Sequence, residues 1–256
     1  VGLTGCGYDT NLPMRSLEVW KIATEINRLL NQARSDEALP LIEQLEELLE
    51  NPSKHEQQFL LYVKSMALGN MEAISWTQRR DMQEQALYLT IPQVVLEKSD
   101  KWHFSVGEAA CALSYAFAED RCGNLEKRKN CINLLYSIKR QLESRKSIWQ
   151  HYASGYEACC CRLGDILGNS KRYQEGISIE YDGIKMALEC GLSAILSTTL
   201  YDCGWNMEQL WQSGAYLKDE SFQYVQTSFL LYTLYENDTG REFVRAHIKR
   251  MYQVDI

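Results

Sequence analysis

The sequence predicts an all-α protein, built as a superhelical stack of antiparallel helical hairpins with about eleven helices. Three observations lead to this prediction. Apolar residues recur at spacings of three and four along most of the 256 residues, and no segment alternates with period two for long enough to suggest a sheet. Helix-start signals precede several of these apolar segments. A Gly-Asn pair recurs between them, as expected for a repeated unit.

The apolar periodicity divides the chain into helices and connections. Residues 1–15 read as a linker or tail from a missing N-terminal segment, and residues 16–256 as a single repeat domain. The segment 90–104 is the clearest irregular connection. The helices are predicted at residues 16–33, 36–50, 54–68, 71–89, 106–121, 125–143, 147–167, 171–189, 192–212, 219–236 and 240–253.

The start signals have the form of a capping box. In this motif a hydroxyl side chain and an acid or amide three residues later each bond a free backbone N–H of the first helical turn. Several such matches before apolar-periodic segments support one another. They are Ser53 with Glu56, Ser105 with Glu108, Ser147 with Gln150, and Thr239 with Glu242.

The recurring Gly-Asn pair predicts a solenoid of helical repeats. It occurs in Leu68-Gly69-Asn70, Cys122-Gly123-Asn124 and Leu167-Gly168-Asn169. We expect each glycine to end its helix in the left-handed conformation. The unit from 157 to 190 resembles the tetratricopeptide signature, with small residues at Gly164, Gly176 and Gly183 where two helices pack closely. Ala73 is expected to fill such a position in another second helix.

A helical-repeat array has a concave face, and in tetratricopeptide arrays the first helix of each hairpin lines it. Aligning the units on the helix-ending Asn predicts the ligand-binding residues of this groove. They are Asn27, Tyr62, Asn70, Asp120, Asn124, Cys161, Asp165, Asn169, Tyr201, Trp205 and Gln209. Asparagine can hold a peptide backbone through donors and acceptors, and tyrosine adds rigid contact area. Asp120 and Asp165 favour a ligand with some positive charge. The alternative is that each Asn is a local helix cap.

Composition and motifs argue against catalysis and against direct binding to nucleic acid. The net charge of −7 gives no counterion-release affinity for DNA. The four histidines are scattered, and no phosphate-binding, dinucleotide-binding or nucleophile motif is present, so we expect no enzyme activity, cofactor or metal. Cys159, Cys160 and Cys161 point about 100° apart on a helix and cannot converge on one ion, which leaves buried packing, or else a thiol role. No apolar run approaches the roughly 18–20 residues of a membrane helix, and a cytoplasmic location is expected.

Several segments together suggest a family. They are Gly7-Tyr8-Asp9-Thr10-Asn11-Leu12-Pro13, Gln57-Gln58-Phe59-Leu60-Leu61-Tyr62 and Leu89-Thr90-Ile91-Pro92. With the degenerate repeats, the chain resembles the C-terminal sensor region of Rgg/PlcR-like helix-turn-helix transcription regulators of Gram-positive bacteria. The resemblance implies a homodimer formed through the repeats, a short peptide bound in the concave groove, and DNA binding only by a missing N-terminal domain.

The residues and the resemblance therefore support two functional hypotheses. The first is the sensor and dimerisation domain of a transcription regulator that binds a short peptide. The second is a general tetratricopeptide scaffold that docks a partner protein or its tail. A thiol-redox protein or an enzyme is a third hypothesis, and the missing catalytic motifs argue against it.

Overall fold

A computed structural model describes residues 16–92, 99–144, 150–191 and 195–256, and every regular element among them is helical. This confirms the predicted all-α class. Short 3-10 turns lie at Ser99–Lys101 and Trp211–Ser213. The α-helices are α1 (Leu17–Asn31), α2 (Ser35–Leu48), α3 (Lys54–Asn70), α4 (Trp76–Tyr88), α5 (Val106–Arg121), α6 (Leu125–Glu143), α7 (Gln150–Asn169), α8 (Tyr173–Cys190), α9 (Leu196–Glu208), α10 (Lys218–Leu234) and α11 (Asp238–Tyr252).

The chain forms two compact units, Val1–Gly155 (unit 1) and Tyr156–Ile256 (unit 2). In unit 1, helices α1 to α6 each pack on the next, and α1 also contacts α3. Ser114 on α5 approaches Met66 on α3, with 3.3 Å between Oγ and Sδ. The odd-numbered helices, which we call the leading helices, are therefore neighbours, as predicted for stacked hairpins.

Unit 2 repeats this arrangement. Helices α8 to α11 pack in chain order. The leading helices α7 and α9 meet where the Cys161 thiol donates to Oδ2 of Asp202 over 3.8 Å. Helices α9 and α11 meet where Tyr201 contacts His247. Val225, Val244 and Ile248 form a buried cluster between α10 and α11, so hydrophobic burial stabilises the last hairpin.

Helix starts follow the capping chemistry, with some corrections. The capping boxes at Ser53 and Ser105 are present as predicted. A further one at Ser75, with Gln78, begins α4 at Trp76 instead of residue 71. Ala73 therefore precedes this helix and does not fill a packing position inside it. Helix α11 is capped by Asn237, one residue before its start at Asp238, and not by Thr239. Ser147 lies outside the described residues.

The glycines of the Gly-Asn pairs do not all end helices as predicted. Gly123 has φ of 78° and is left-handed. Gly69 and Gly168 are helical, and α3 and α7 continue to Asn70 and Asn169. The left-handed residues that follow are Glu72 and Lys171. Gly69 and Gly168 are instead small because a Cβ there would clash with the Arg79 side chain and the Asn206 amide respectively.

Candidate functional site

In unit 1, two of the predicted groove residues are wholly or partly inside the helix packing. Asn27 is buried in α1, and its Nδ2 has no hydrogen-bond partner among the described residues. Tyr62 is half-buried on α3, and its carbonyl accepts a hydrogen bond from Nε2 of Gln83 over 3.2 Å. Asn27 therefore does not present its amide to a surface.

The other three predicted residues of unit 1 bond to neighbouring helices or cap a helix. Asp120 is buried and forms an ion pair with Arg128 of α6. Asn124 is the N-cap of α6, since its Oδ1 accepts from the Lys127 N–H over 3.1 Å. Asn70 donates to Ser35 Oγ over 3.3 Å. The structure thus gives Asn124 the capping role that was the alternative interpretation.

In unit 2, the predicted residues lie on two adjacent leading helices. Cys161, Asp165 and Asn169 follow one another at intervals of four on α7, as do Tyr201, Trp205 and Gln209 on α9. Cys161 is buried, Gln209 is exposed, and the other four are half-buried. We call the surface formed by these half-buried residues, together with Asp202 and the adjoining Phe243 of α11, the unit 2 face.

Short contacts order the unit 2 face. Asn169 Nδ2 donates to Asp165 Oδ1 over 3.2 Å along α7. The Trp205 ring lies edge-on to Tyr173, with 6.1 Å between the centroids. Exposed Gln209 donates back to the carbonyl of Trp205 over 3.4 Å. The face therefore combines carboxylate, amide and aromatic groups at fixed positions.

A buried Glu–Asn pair, which no sequence pattern indicates, lies beneath this face. Nδ2 of Asn206 on α9 donates to both carboxyl oxygens of Glu180 on α8, over 3.0 and 3.1 Å. Gly164 leaves the space for Glu180, as the tetratricopeptide resemblance predicts for a small residue there. Burial raises the pKa of Glu180 well above its usual value, and the negative charge of Asp202 adds to the rise.

A second buried network joins α9, α10 and α11. His247 Nε2 lies 2.9 and 3.1 Å from the two carboxyl oxygens of Glu208, and its Nδ1 lies 3.2 Å from the Tyr201 hydroxyl. The Tyr252 hydroxyl donates to Glu208 over 2.6 Å, and its oxygen lies 3.1 Å from Ser221 Oγ. No sequence pattern predicts this network, because the ring of His247 bonds Tyr201 and Glu208 of α9.

The three adjacent cysteines pack inside unit 2. Cys159, Cys160 and Cys161 are fully buried, in agreement with the packing interpretation. Burial raises the pKa of Cys161 well above its usual value, and Asp202 adds to this, so the reactive thiolate is disfavoured. Within the described ranges, no group of three or more His, Cys, Asp or Glu side chains could hold a metal ion. None of the described helices is long and apolar enough to cross a membrane.

Comparison with known proteins identifies a similar fold. No family model and no curated protein matches the chain. Among solved structures, it is similar to PlcR of Bacillus thuringiensis in complex with the peptide PapR7 and DNA, with a TM-score of 0.69. The sequence identity is 15%, and the match covers 93% of this chain and 77% of that chain. The chain therefore has a PlcR-like, all-α fold of the tetratricopeptide type.

Proposed function

We propose that this chain is the sensor and dimerisation region of a helix-turn-helix transcription regulator, and that it binds a short peptide on the unit 2 face. The observation that carries the proposal is the PlcR-like fold, since PlcR was solved with a peptide and DNA. In this proposal the chain acts by binding in the cytoplasm and catalyses no reaction. DNA is bound by a separate segment of the regulator.

The arrangement of the unit 2 face supports a peptide as the ligand. Asn169 and Asp165 offer an amide and a carboxylate on α7, and Tyr201 and Trp205 offer half-buried rings on α9. Amide groups can hold an extended backbone without reading its side chains, while rigid rings supply contact area at low entropic cost. These groups suit a ligand with a regular backbone and a few anchoring side chains.

Selection from a phage-display library of random linear peptides tests peptide binding. The full chain is immobilised, and a blank surface serves as the control. We expect a related set of peptides to be enriched on the protein, and one synthesised member to bind by calorimetry with a stoichiometry of one per chain. If nothing is enriched over the blank surface, the peptide-binding proposal is wrong.

Two further measurements test the remaining parts of the proposal. Sedimentation velocity of the chain is expected to show a dimer. Sequencing of the gene upstream of the Val1 codon is expected to reveal a helix-turn-helix segment in the same reading frame. A monomer at every concentration would contradict the dimerisation role, and an upstream frame without such a segment would contradict the regulator.

A general protein-docking scaffold is the second candidate. It is favoured by Leu230 and Leu234, which lie one turn apart on α10 and are 59% and 70% exposed. Exposed apolar side chains that form a patch mark protein interaction sites. In a scaffold, the double variant Leu230→Ser with Leu234→Ser would abolish partner binding and leave any selected peptide bound. The sensor proposal expects peptide binding to depend on the unit 2 face instead.

A further inference from the structure

One residue of the unit 2 face is an exposed phenylalanine that is not part of the core. Phe243 of α11 is 60% exposed. Its ring lies edge-on to that of Tyr201 on α9, with 5.1 Å between the centroids and 64° between the planes. A single exposed apolar side chain is ordinary, but two aromatic rings held against each other offer a rigid apolar contact area. Phe243 and Tyr201 together form what we call the aromatic ledge.

The network beneath the aromatic ledge fixes the orientation of Tyr201. Nη2 of Arg250 lies 3.2 Å from Nδ1 of His247, and a guanidinium can only donate. Nδ1 must therefore accept, and the ring proton is carried by Nε2, which donates to Glu208. The Tyr201 hydroxyl lies at the same distance of 3.2 Å from Nδ1 and shares its single lone pair with Arg250 in a bifurcated hydrogen bond. His247 is 3% exposed, so this bond is protected from water and holds the tyrosine ring ready for a ligand.

The other side of Tyr201 is acidic. Asp202 follows it on α9, and Asp165 lies one turn beyond Cys161 on α7. After burial, the charge of Asp202 is the next cause that raises the pKa values of Cys161 and Tyr201. Asp165 raises that of Cys161 as well, whereas Arg162 lowers it. Two carboxylates and one guanidinium give this side of the face a net negative charge, which favours a cation.

The geometry points to a peptide ligand of defined chemistry. We propose that the unit 2 face binds a short linear peptide through a large apolar side chain on the aromatic ledge and a cationic group, a Lys or Arg side chain or the free amino terminus, beside Asp202 and Asp165. This inference rests on the proposed peptide-binding function and specifies the ligand. Charge complementarity and a preorganised aromatic contact are the two features that recognise it.

The selected peptides of the random library give the first test. We expect enrichment of Phe, Tyr, Trp or Leu together with Lys or Arg, and depletion of Asp and Glu. For one synthesised peptide, replacing its apolar anchor by Ala is expected to weaken binding at least about tenfold, as for other buried anchors. Replacing its cationic residue by Gln is expected to weaken binding less and to reduce the salt dependence of the affinity.

Variants of the protein give the second test. Phe243→Ala is expected to weaken the same peptide about tenfold, because the ledge loses its exposed ring. Asp165→Asn with Asp202→Asn is expected to remove the preference for cationic peptides in a repeated selection. Leu230→Ala is the matched control, since it also removes an exposed apolar side chain but from α10, which contributes no residue to the face. Thermal melting by circular dichroism checks that each variant folds.

The outcomes separate this inference from the proposed function. Peptides that are enriched but acidic or without any charge preference would overturn the inference and leave peptide binding intact. The same conclusion follows if Phe243→Ala folds and binds the selected peptide as the unmodified chain does. If no peptide is enriched on the unmodified chain, both the inference and the proposed function fail.

Discussion

Both units bury carboxyl groups, but they balance the charge in different ways. In unit 1, Glu119 and Asp120 of α5 are matched by cations. Glu119 Oε2 lies 3.5 Å from Arg80 Nη1 and 3.7 Å from Lys127 Nζ, and Asp120 is paired with Arg128. In unit 2, the buried Glu180 and Glu208 are instead contacted by the neutral groups of Asn206, His247 and Tyr252.

This difference separates two ways in which a buried acid is tolerated. A carboxylate beside a cation keeps its charge, and the pair is stable as long as both partners remain. A carboxyl among neutral groups can avoid its desolvation penalty by binding a proton. Burial raises the pKa of Glu157 to about 8, and that of Glu180 is also well above its usual value. The stability of unit 2 therefore depends on pH, whereas that of unit 1 depends on ion pairs.

The largest expected effect is the loss of the unit 1 ion pair between α5 and α6. Arg128→Met keeps an apolar stem but leaves Asp120 buried without its cation. Breaking a buried pair in this way costs about 3–5 kcal/mol. We expect local unfolding of α5 and α6 to become easier by this amount, measured by amide hydrogen exchange of the peptides from these helices.

The matched control for this change is Arg172→Met in unit 2. Arg172 forms an ion pair with Glu175 over 2.6 Å, but both side chains are largely exposed. Exposed pairs contribute little because water and salt screen them. If Arg128→Met and Arg172→Met had equally small effects, the buried pair would not stabilise unit 1 as described.

The second effect is the pH dependence of unit 2. Burial raises the pKa of Glu157 in the folded state to about 8, above its usual value of 4.5. The folded state therefore binds the proton more tightly than the unfolded state does. The stability that this proton contributes is complete below about pH 4.5 and is lost as the pH rises through 8. Within this window one such group lowers the free energy of unfolding by up to about 1.4 kcal/mol per pH unit.

Glu157→Gln tests this sign directly. The glutamine cannot ionise, so the variant is expected to lose this share of the pH dependence and to be more stable than the unmodified chain at pH 8. Glu180 supplies a remaining dependence of the same sign. Hydrogen exchange of α7 and α8 at pH 6 and pH 8, corrected for intrinsic exchange, gives the measurement. The exposed Glu189→Gln at the end of α8 is the control, and a parallel fall in both variants would contradict the assignment.

The features that the sequence predicted are those encoded by neighbouring residues. Apolar periodicity and the capping boxes at Ser53 and Ser105 involve residues three or four apart, so they identify helices without knowledge of the fold. The box of Ser75 with Gln78 has the same form, and it could have placed the start of α4 correctly. The predicted start at residue 71 is wrong because it follows the apolar pattern instead of this cap.

The features that could not be predicted depend on packing between distant residues. Asn206 bonds Glu180 across 26 positions of the chain, and His247 bonds Glu208 across 39. Periodicity identifies which residues share a face of one helix, but not which residue of another helix lies opposite. Asp120 is an example, because its place in the predicted groove column did not indicate that Arg128 of the next helix pairs with its carboxylate.

An intermediate effect is expected for the last hairpin of unit 2. Tyr252→Phe removes the hydroxyl that donates to the buried Glu208 over 2.6 Å. Leaving a buried acceptor without its donor costs about 1–3 kcal/mol, and one carboxyl oxygen of Glu208 would lose its donor. We expect amide hydrogen exchange of α11 to become faster by the corresponding factor, and that of α5 to stay unchanged. Tyr235→Phe is the control because Tyr235 lies just beyond the end of α10, outside this network. Equal exchange in the two variants would show that the network does not hold α11.

The smallest expected effect distinguishes a helix cap from a ligand contact. It concerns Asn124 and Asn169, which the aligned repeats place at equivalent positions of the predicted groove. Asn124→Ala in unit 1 removes the bond from its Oδ1 to the Lys127 N–H, and the loss of an N-cap costs about 1 kcal/mol. We expect faster exchange at the start of α6 and unchanged affinity for the selected peptide. Asn169→Ala in unit 2 is expected to weaken that peptide, since Asn169 is half-buried on the unit 2 face beside Asp165. If Asn124→Ala weakened the peptide while α6 kept its protection, the asparagine column would be a ligand contact in both units, and the capping interpretation would be wrong.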